Sequence, residues 1–177
     1  TEILKTFISS GGKVFDTAPS YGMSEEVAGK IVQKKFVKDN IFWATKVNAV
    51  ARGDRYADPS HVLSQIKRSF NHIGKNEIDL IQVHNLSDMK TQLPIIRELR
   101  EQKRVRYVGA TTTDHDRYDE LANFMKNGLL DFIGIDYAID NRLSAEKILP
   151  LASDLGIAVL VYMPFGRTRL WTRTRGR

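Results

Sequence analysis

Six short apolar runs, separated by segments of helical periodicity, constrain this chain more than any other feature. They cover residues 13–17, 41–46, 78–84, 106–111, 132–136 and 157–162. Each is strand-like in length and rich in Val, Ile or aromatic residues. In the intervening segments the apolar residues recur at helical spacing, as Val27, Ile31 and Val32 do in one and Val62, Ile66, Phe70 and Ile73 in the next. Ser24 is placed to cap a helix over residues 25–35, Pro59 to open the following helix and Gly74 to stop it. Pro94 and Pro150 fall within helical patterns and mark kinks or helix starts. Residues 1–12 read as a helix with a glycine stop.

Strand ends recur every ~25–38 residues, the spacing of successive βα units. Strands buried on both faces and alternating with helices predict a parallel sheet. Six units are one more than a flavodoxin-type sheet holds and two fewer than a (β/α)₈ barrel. The expected fold is therefore an α/β chain of the (β/α)₈ type lacking its first and last strands, with one domain over residues 1–166. Residues 167–177 form a basic tail, "RTRLWTRTRGR". Its five arginines leave only +1 of the net charge of +6 to residues 1–166. Such a tail is ordinarily a solvated terminus, so no nucleic-acid partner is expected. No cysteine is present, which excludes disulfides and thiolate metal sites, and no metal site is expected. No run approaches the ~18 apolar residues of a membrane span, so no membrane partner is expected either. The expected location is the cytoplasm, or the periplasm if a signal precedes Thr1.

In a parallel barrel the chemistry sits at the C-terminal strand ends. Those ends carry Asp16, Lys46, His84, Thr111, Asp136 and Tyr162. Strand alternation puts Asp16 with Val14 and away from Phe15, Lys46 with Ala44, and His84 with Gln82. If Phe15 and Val83 face the helices, three successive strands present Asp, Lys and His at one level. Tyr21, on the turn after the first strand, can reach the same place. Trp43 runs out of phase with Lys46 and is expected beneath a helix. Taken singly, each polar residue has an ordinary structural role: a hydrogen-bonded His, a solvated Lys, a turn-forming Asp. Jointly they make a proton donor. A buried Lys and Asp require partners, and these two supply each other. A lysine ammonium beside a tyrosine lowers the phenol's pKa from its usual ~10. The donor would then protonate an oxygen that becomes negative as a carbonyl accepts hydride.

The motifs "FDTAPSYGMSEEVAG", "ATKV", "IDLIQVHN", "RYVGATT" and "VLVYMPFG" stand in the order and spacing of the aldo-keto reductases, which residues 1–166 resemble. The resemblance implies a (β/α)₈ barrel, NADPH as cofactor, a small carbonyl compound as substrate, and a catalytic tetrad falling on Asp16, Tyr21, Lys46 and His84. In that tetrad Tyr21 donates the proton, Lys46 and Asp16 tune it, and His84 orients the carbonyl. It also implies cofactor contacts at Asp16, Thr111, Thr112, Tyr162, Phe165 and Gly166. Two positions depart from the family's pattern, Thr112 and Gly134. Thr111 and Thr112 stand where Ser-Asn is common, so that Thr111 keeps a hydroxyl and Thr112 loses an amide, and Gly134 stands where a Gln is usual. The alternative is a non-catalytic barrel of the same family that binds a nucleotide or a protein partner. The intact tetrad favours the enzyme.

Overall fold

A computed structural model describes residues 2–33 and 41–176. The sheet has six strands, β1 (Val14–Asp16), β2 (Phe42–Val47), β3 (Ile78–Val83), β4 (Val105–Thr112), β5 (Phe132–Asp136) and β6 (Ala158–Tyr162), in chain order from β1 to β6. Among the described residues the α-helices are α1 (Glu2–Ser9), α2 (Ser24–Gln33), α3 (Pro59–Ile73), α4 (Met89–Glu101), α5 (Tyr118–Lys126), α6 (Ser144–Leu155) and α7 (Arg169–Thr174). The chain divides into two compact units. One holds residues 1–83 and 87–108, the other residues 84–86 and 109–177.

In the first unit β1, β2 and β3 pair in parallel, with Asp16 opposite Ala44 and Lys46 opposite Gln82. The burial explains the sequence pattern. Every residue of β3 is buried, including Asp79 and Gln82 within an otherwise apolar run. Asp79 is kept there by partners: it accepts from the Trp43 backbone N–H at 2.9 Å and pairs with Arg106 at 3.1 Å. Trp43 is buried and packs on Phe15 with ring centroids 5.2 Å apart, while the next residue on its face, Thr45, bonds to Glu25 of α2. That face is the helix side, as the alternation predicts.

Helix α3 starts and ends as its sequence dictates. Asp58 accepts hydrogen bonds from the Ser60 and His61 backbone N–H groups, Pro59 occupies the first turn, and Gly74 closes the helix in the left-handed conformation at φ 72°. Pro94 and Pro150 lie inside α4 and α6 and start neither. Ser24 is the first residue of α2 and its hydroxyl accepts from Thr17 at 2.9 Å. The end expected for that helix, residues 34–35, lies outside the described residues.

In the second unit residues 109–112 of β4 pair in parallel with β5, and β5 with β6, placing Thr111 opposite Gly134 and Asp136 opposite Tyr162. The basic C-terminal segment contains α7. Arg169 and Arg173 both pair with Asp140, at 3.1 and 3.0 Å, and Trp171 stacks on Phe165 at 5.7 Å. Among the described residues no helix is long and apolar enough to cross a membrane.

Gly29 of α2 tests the packing against α3. A Cβ there would collide with the His72 carbonyl oxygen and crowd Ile73 Cα. Helix propensity alone favours Ala over Gly by about 1 kcal/mol. Two facing helix backbones give way poorly, and overpacking costs about 1–3 kcal/mol. Gly29→Ala is expected to be net destabilising, read as a lower urea midpoint with an unchanged m-value.

Candidate active site

The centre of the first unit's site is Lys46. Its residue is 2% exposed. Removing an ammonium from water costs several kcal/mol unless the charge is paired and hydrogen-bonded. Here Nζ donates to Asp16 Oδ2 at 2.5 Å and to the Thr17 carbonyl oxygen at 2.8 Å. Asp16 is held from its other oxygen by Gln82, whose Nε2 donates to Oδ1 at 3.2 Å. Three adjacent strands thus fix one ion pair. The sequence reasoning took Gln82 only as a marker of strand phase. Its signal was present, a buried amide in an apolar strand two residues before His84. Glu25 was missed too. It is buried on α2, accepts from the Thr45 hydroxyl at 2.6 Å, and sits close enough to Lys46 to favour its charge.

Burial holds the Lys46 pKa below its usual value, against the opposing pull of Asp16 and Glu25. The ammonium lies 5.0 Å from the centroid of the Tyr21 ring, on the turn after β1. Asp16, Tyr21 and Lys46 are therefore brought together in one unit. The tuning differs from the expectation. The Tyr21 phenol is pushed above its usual value, first by burial and then by the negative charge of Asp16. Burial and Asp16 together outweigh the pull of the lysine's charge, so the net shift is upward. Tyr21 accordingly carries its proton at neutral pH.

His84, Thr111, Thr112, Tyr162, Phe165 and Gly166 belong to the second unit. His84 opens a short turn, His84–Leu86, at the end of β3. The next residue, Asn85, donates its backbone N–H to the Thr111 hydroxyl at 3.0 Å, so the His84 turn and Thr111 are joined. The Thr112 hydroxyl accepts the Asp114 N–H at 3.1 Å and shapes the turn into α5. Tyr162, at the end of β6, lays its ring over Gly134 closely enough that a Cβ at 134 would overlap it. Phe165 is half exposed, and Gly166 is buried at φ 59° with the Arg169 guanidinium over it.

Asp136, the other polar strand end, gathers its own cluster. It accepts from the Tyr118 hydroxyl at 3.3 Å and from Asn141, and pairs with His115 at 3.3 Å. Burial, then the Asp136 charge, pushes the Tyr118 phenol up to about 12.

Residues 1–176 match the family model described as the aldo/keto reductase family. The chain belongs to the aldo/keto reductase family. Its relatives include the aldo-keto reductase YhdN of Bacillus subtilis, 27% identical over 169 residues, covering 91% of this chain and 50% of that protein. Another is the NADH-specific methylglyoxal reductase of Escherichia coli, 29% identical over 175 residues, covering 87% and 52%. The chain spans about half the length of the curated relatives it matches. Among solved structures, the holo form of aldo-keto reductase AKR11C1 from Bacillus halodurans aligns with a TM-score of 0.74 at 25% identity, over 90% of this chain and 55% of that one. An aldo-keto reductase, AKR2E5, complexed with NADPH aligns over 99% of this chain and 56% of that one with a TM-score of 0.77; at 18% identity it speaks for the fold alone. The family's (β/α)₈ fold accounts for the alternation of helices with six strands among the described residues.

Two titrations follow from these environments. Asp16→Asn removes a negative charge that raises the Tyr21 pKa, so the Tyr21 phenolate should appear at lower pH, read as phenolate absorbance with Tyr21→Phe as the reference. Tyr118 keeps its proton in the folded state at a pH where the unfolded chain has lost it. Its contribution to stability is complete below pH 10.0 and is lost as pH rises through about 12. Denaturation midpoints of wild type should therefore fall more steeply over that range than those of Tyr118→Phe.

Proposed function

We propose that this chain carries the proton-donating half of an oxidoreductase that reduces an aldehyde or ketone to an alcohol with a nicotinamide cofactor, NADPH by resemblance. The observation that carries the reading is the buried Lys46–Asp16 ion pair, 2.5 Å long, against the Tyr21 ring. A solvated lysine would need no such construction. A buried one with its counter-ion held by Gln82 is a fixed positive charge beside the Tyr21 ring, which is itself half exposed and open to a substrate.

In this reading Tyr21 is the acid. Its phenol, kept protonated by burial and Asp16, gives its proton to the carbonyl oxygen as that oxygen gains negative charge. Lys46 stabilises the phenolate left behind, and Asp16 keeps the ammonium charged and in place. His84 hydrogen-bonds the carbonyl oxygen and orients it. When bound, the dihydronicotinamide supplies the hydride to the carbonyl carbon.

The chain's residues fit such a ring. Tyr162 presents an aromatic face fixed over Gly134, and Thr111 has a hydroxyl that accepts from Asn85 and retains a hydrogen to donate to a carboxamide. The side-chain amides that the family commonly offers are replaced by Thr112 and Gly134. Thr112 is used in its own turn, so the carboxamide rests on Thr111. Phe165 and Gly166 lie in the loop after β6 and are proposed contacts of the cofactor's pyrophosphate. The choice between NADPH and NADH is a matter for direct comparison, since one relative is named for NADH.

Activity assays with both reduced cofactors and a simple aldehyde test this directly. Tyr21→Phe should bind cofactor as wild type does and lose at least the ~10²-fold in carbonyl reduction that a general acid contributes. Equal turnover in wild type and variant would remove Tyr21 from the role.

A further inference from the structure

After His84 the backbone does something ordinary side chains resist. Asn85 (φ 55°, ψ 35°) and Leu86 (φ 52°) are both left-handed. Asn visits that region readily, whereas a leucine there crowds its own Cβ against the backbone. Two such residues in succession persist only where the surroundings over-determine them. The strain sits immediately after the proposed carbonyl-orienting histidine.

The restraint comes from Arg117, in the short turn His115–Arg117 that precedes α5. Its Nη1 donates to the Asn85 carbonyl at 2.6 Å and its Nη2 to the Leu86 carbonyl at 3.1 Å. The guanidinium is itself fixed from the other side, where Nε and Nη2 donate to Glu120 Oε2 at 2.9 and 2.6 Å. The Asn85 N–H meanwhile goes to Thr111. Each of the three successive peptide units after His84 thus has one polar group tied down. A planar fork clamped along one edge and reading two carbonyls with the other is a use of Arg that Lys cannot copy.

We propose that Arg117 is a positioning residue for His84. It holds the 84–86 backbone in its left-handed form and so sets the direction in which the imidazole leaves the chain. The proposal rests on the assignment of His84 above. Relaxation of Asn85 would rotate the peptide next to His84 and move the ring that has to meet the carbonyl oxygen, and relaxation of Leu86 would release the peptide that follows.

A cavity of ≈ 250 Å³ lined by Asn85, Thr112, Thr113, Asp114 and Arg117 opens beside the guanidinium, so a small solute can reach it. This permits a rescue experiment on the 177-residue chain. In Arg117→Ala the His84 ring cross-peak should shift and the Asn85 amide should exchange at least about tenfold faster, as expected for local opening of a restrained turn. The His61 and His72 cross-peaks should stay in place. Guanidinium ion below denaturing concentration should return the His84 cross-peak towards its wild-type position, which it would not do for a general loss of structure. Arg117→Lys keeps the charge and protects against a folding failure of the alanine variant. It should shift the cross-peak the same way. Where carbonyl reduction is measured, kcat should fall. An unmoved His84 cross-peak in both variants overturns the proposal, even if the Asn85 amide opens. A wild-type chain that reduces no carbonyl overturns the function reading instead, and the cross-peak still decides the role of Arg117.

Discussion

A lysine ammonium taken out of water is the constraint on which the first unit is organised. Lys46 is tolerated because Asp16 and the Thr17 carbonyl replace its hydration, and Asp16 is useful only because Gln82 fixes its free oxygen. The parallel register makes this possible. With Lys46 opposite Gln82 and Asp16 opposite Ala44, three strand ends deliver an ammonium, a carboxylate and an amide to one place. On the opposite face of β2, Thr45 ties the same strand to Glu25 of α2. Moving β2 by one residue would exchange the two faces, burying the threonine with Asp16 and offering the lysine to the helix. The apolar packing of Phe15 on Trp43 therefore guards the ion pair's geometry as well as the core.

The second unit solves a different problem, the placing of polar strand ends without a lysine. Asp136 shares its oxygens among Tyr118, Asn141 and His115, and Asp140 collects two arginines from the C-terminal segment. That segment had the composition of a solvated tail. Part of it folds as α7 because Asp140 gives its charges a partner and Phe165 gives Trp171 a ring to stack on. Composition alone could not reveal this. A bridging acid some thirty residues away in sequence leaves no periodic trace.

Much of the architecture was legible because it depends on local rules. The six strands appeared where Val, Ile and aromatic residues cluster, α3 began at its Asp-Pro and stopped at its Gly, and the phase of Trp43 against Lys46 followed from a period of two. The meeting of Asp16, Tyr21 and Lys46 was legible for the same reason. What escaped was the direction of the Tyr21 shift, because it is the balance of burial, a carboxylate and an ammonium, and sequence gives no distances. The left-handed pair after His84 was also hidden. Neither Asn85 nor Leu86 is a glycine, and the arginine that holds them stands thirty-two residues along the chain.

The ring of Tyr162 over Gly134 makes two residues on adjacent strands a single volume. A larger side chain at position 134 can be admitted only if the tip of the Tyr162 ring moves, since the overlap is with its outer ring atoms and hydroxyl. The conformation of the aromatic at the end of β6 is thus set in part by the smallest residue of β5, and a change at either position is read at the other.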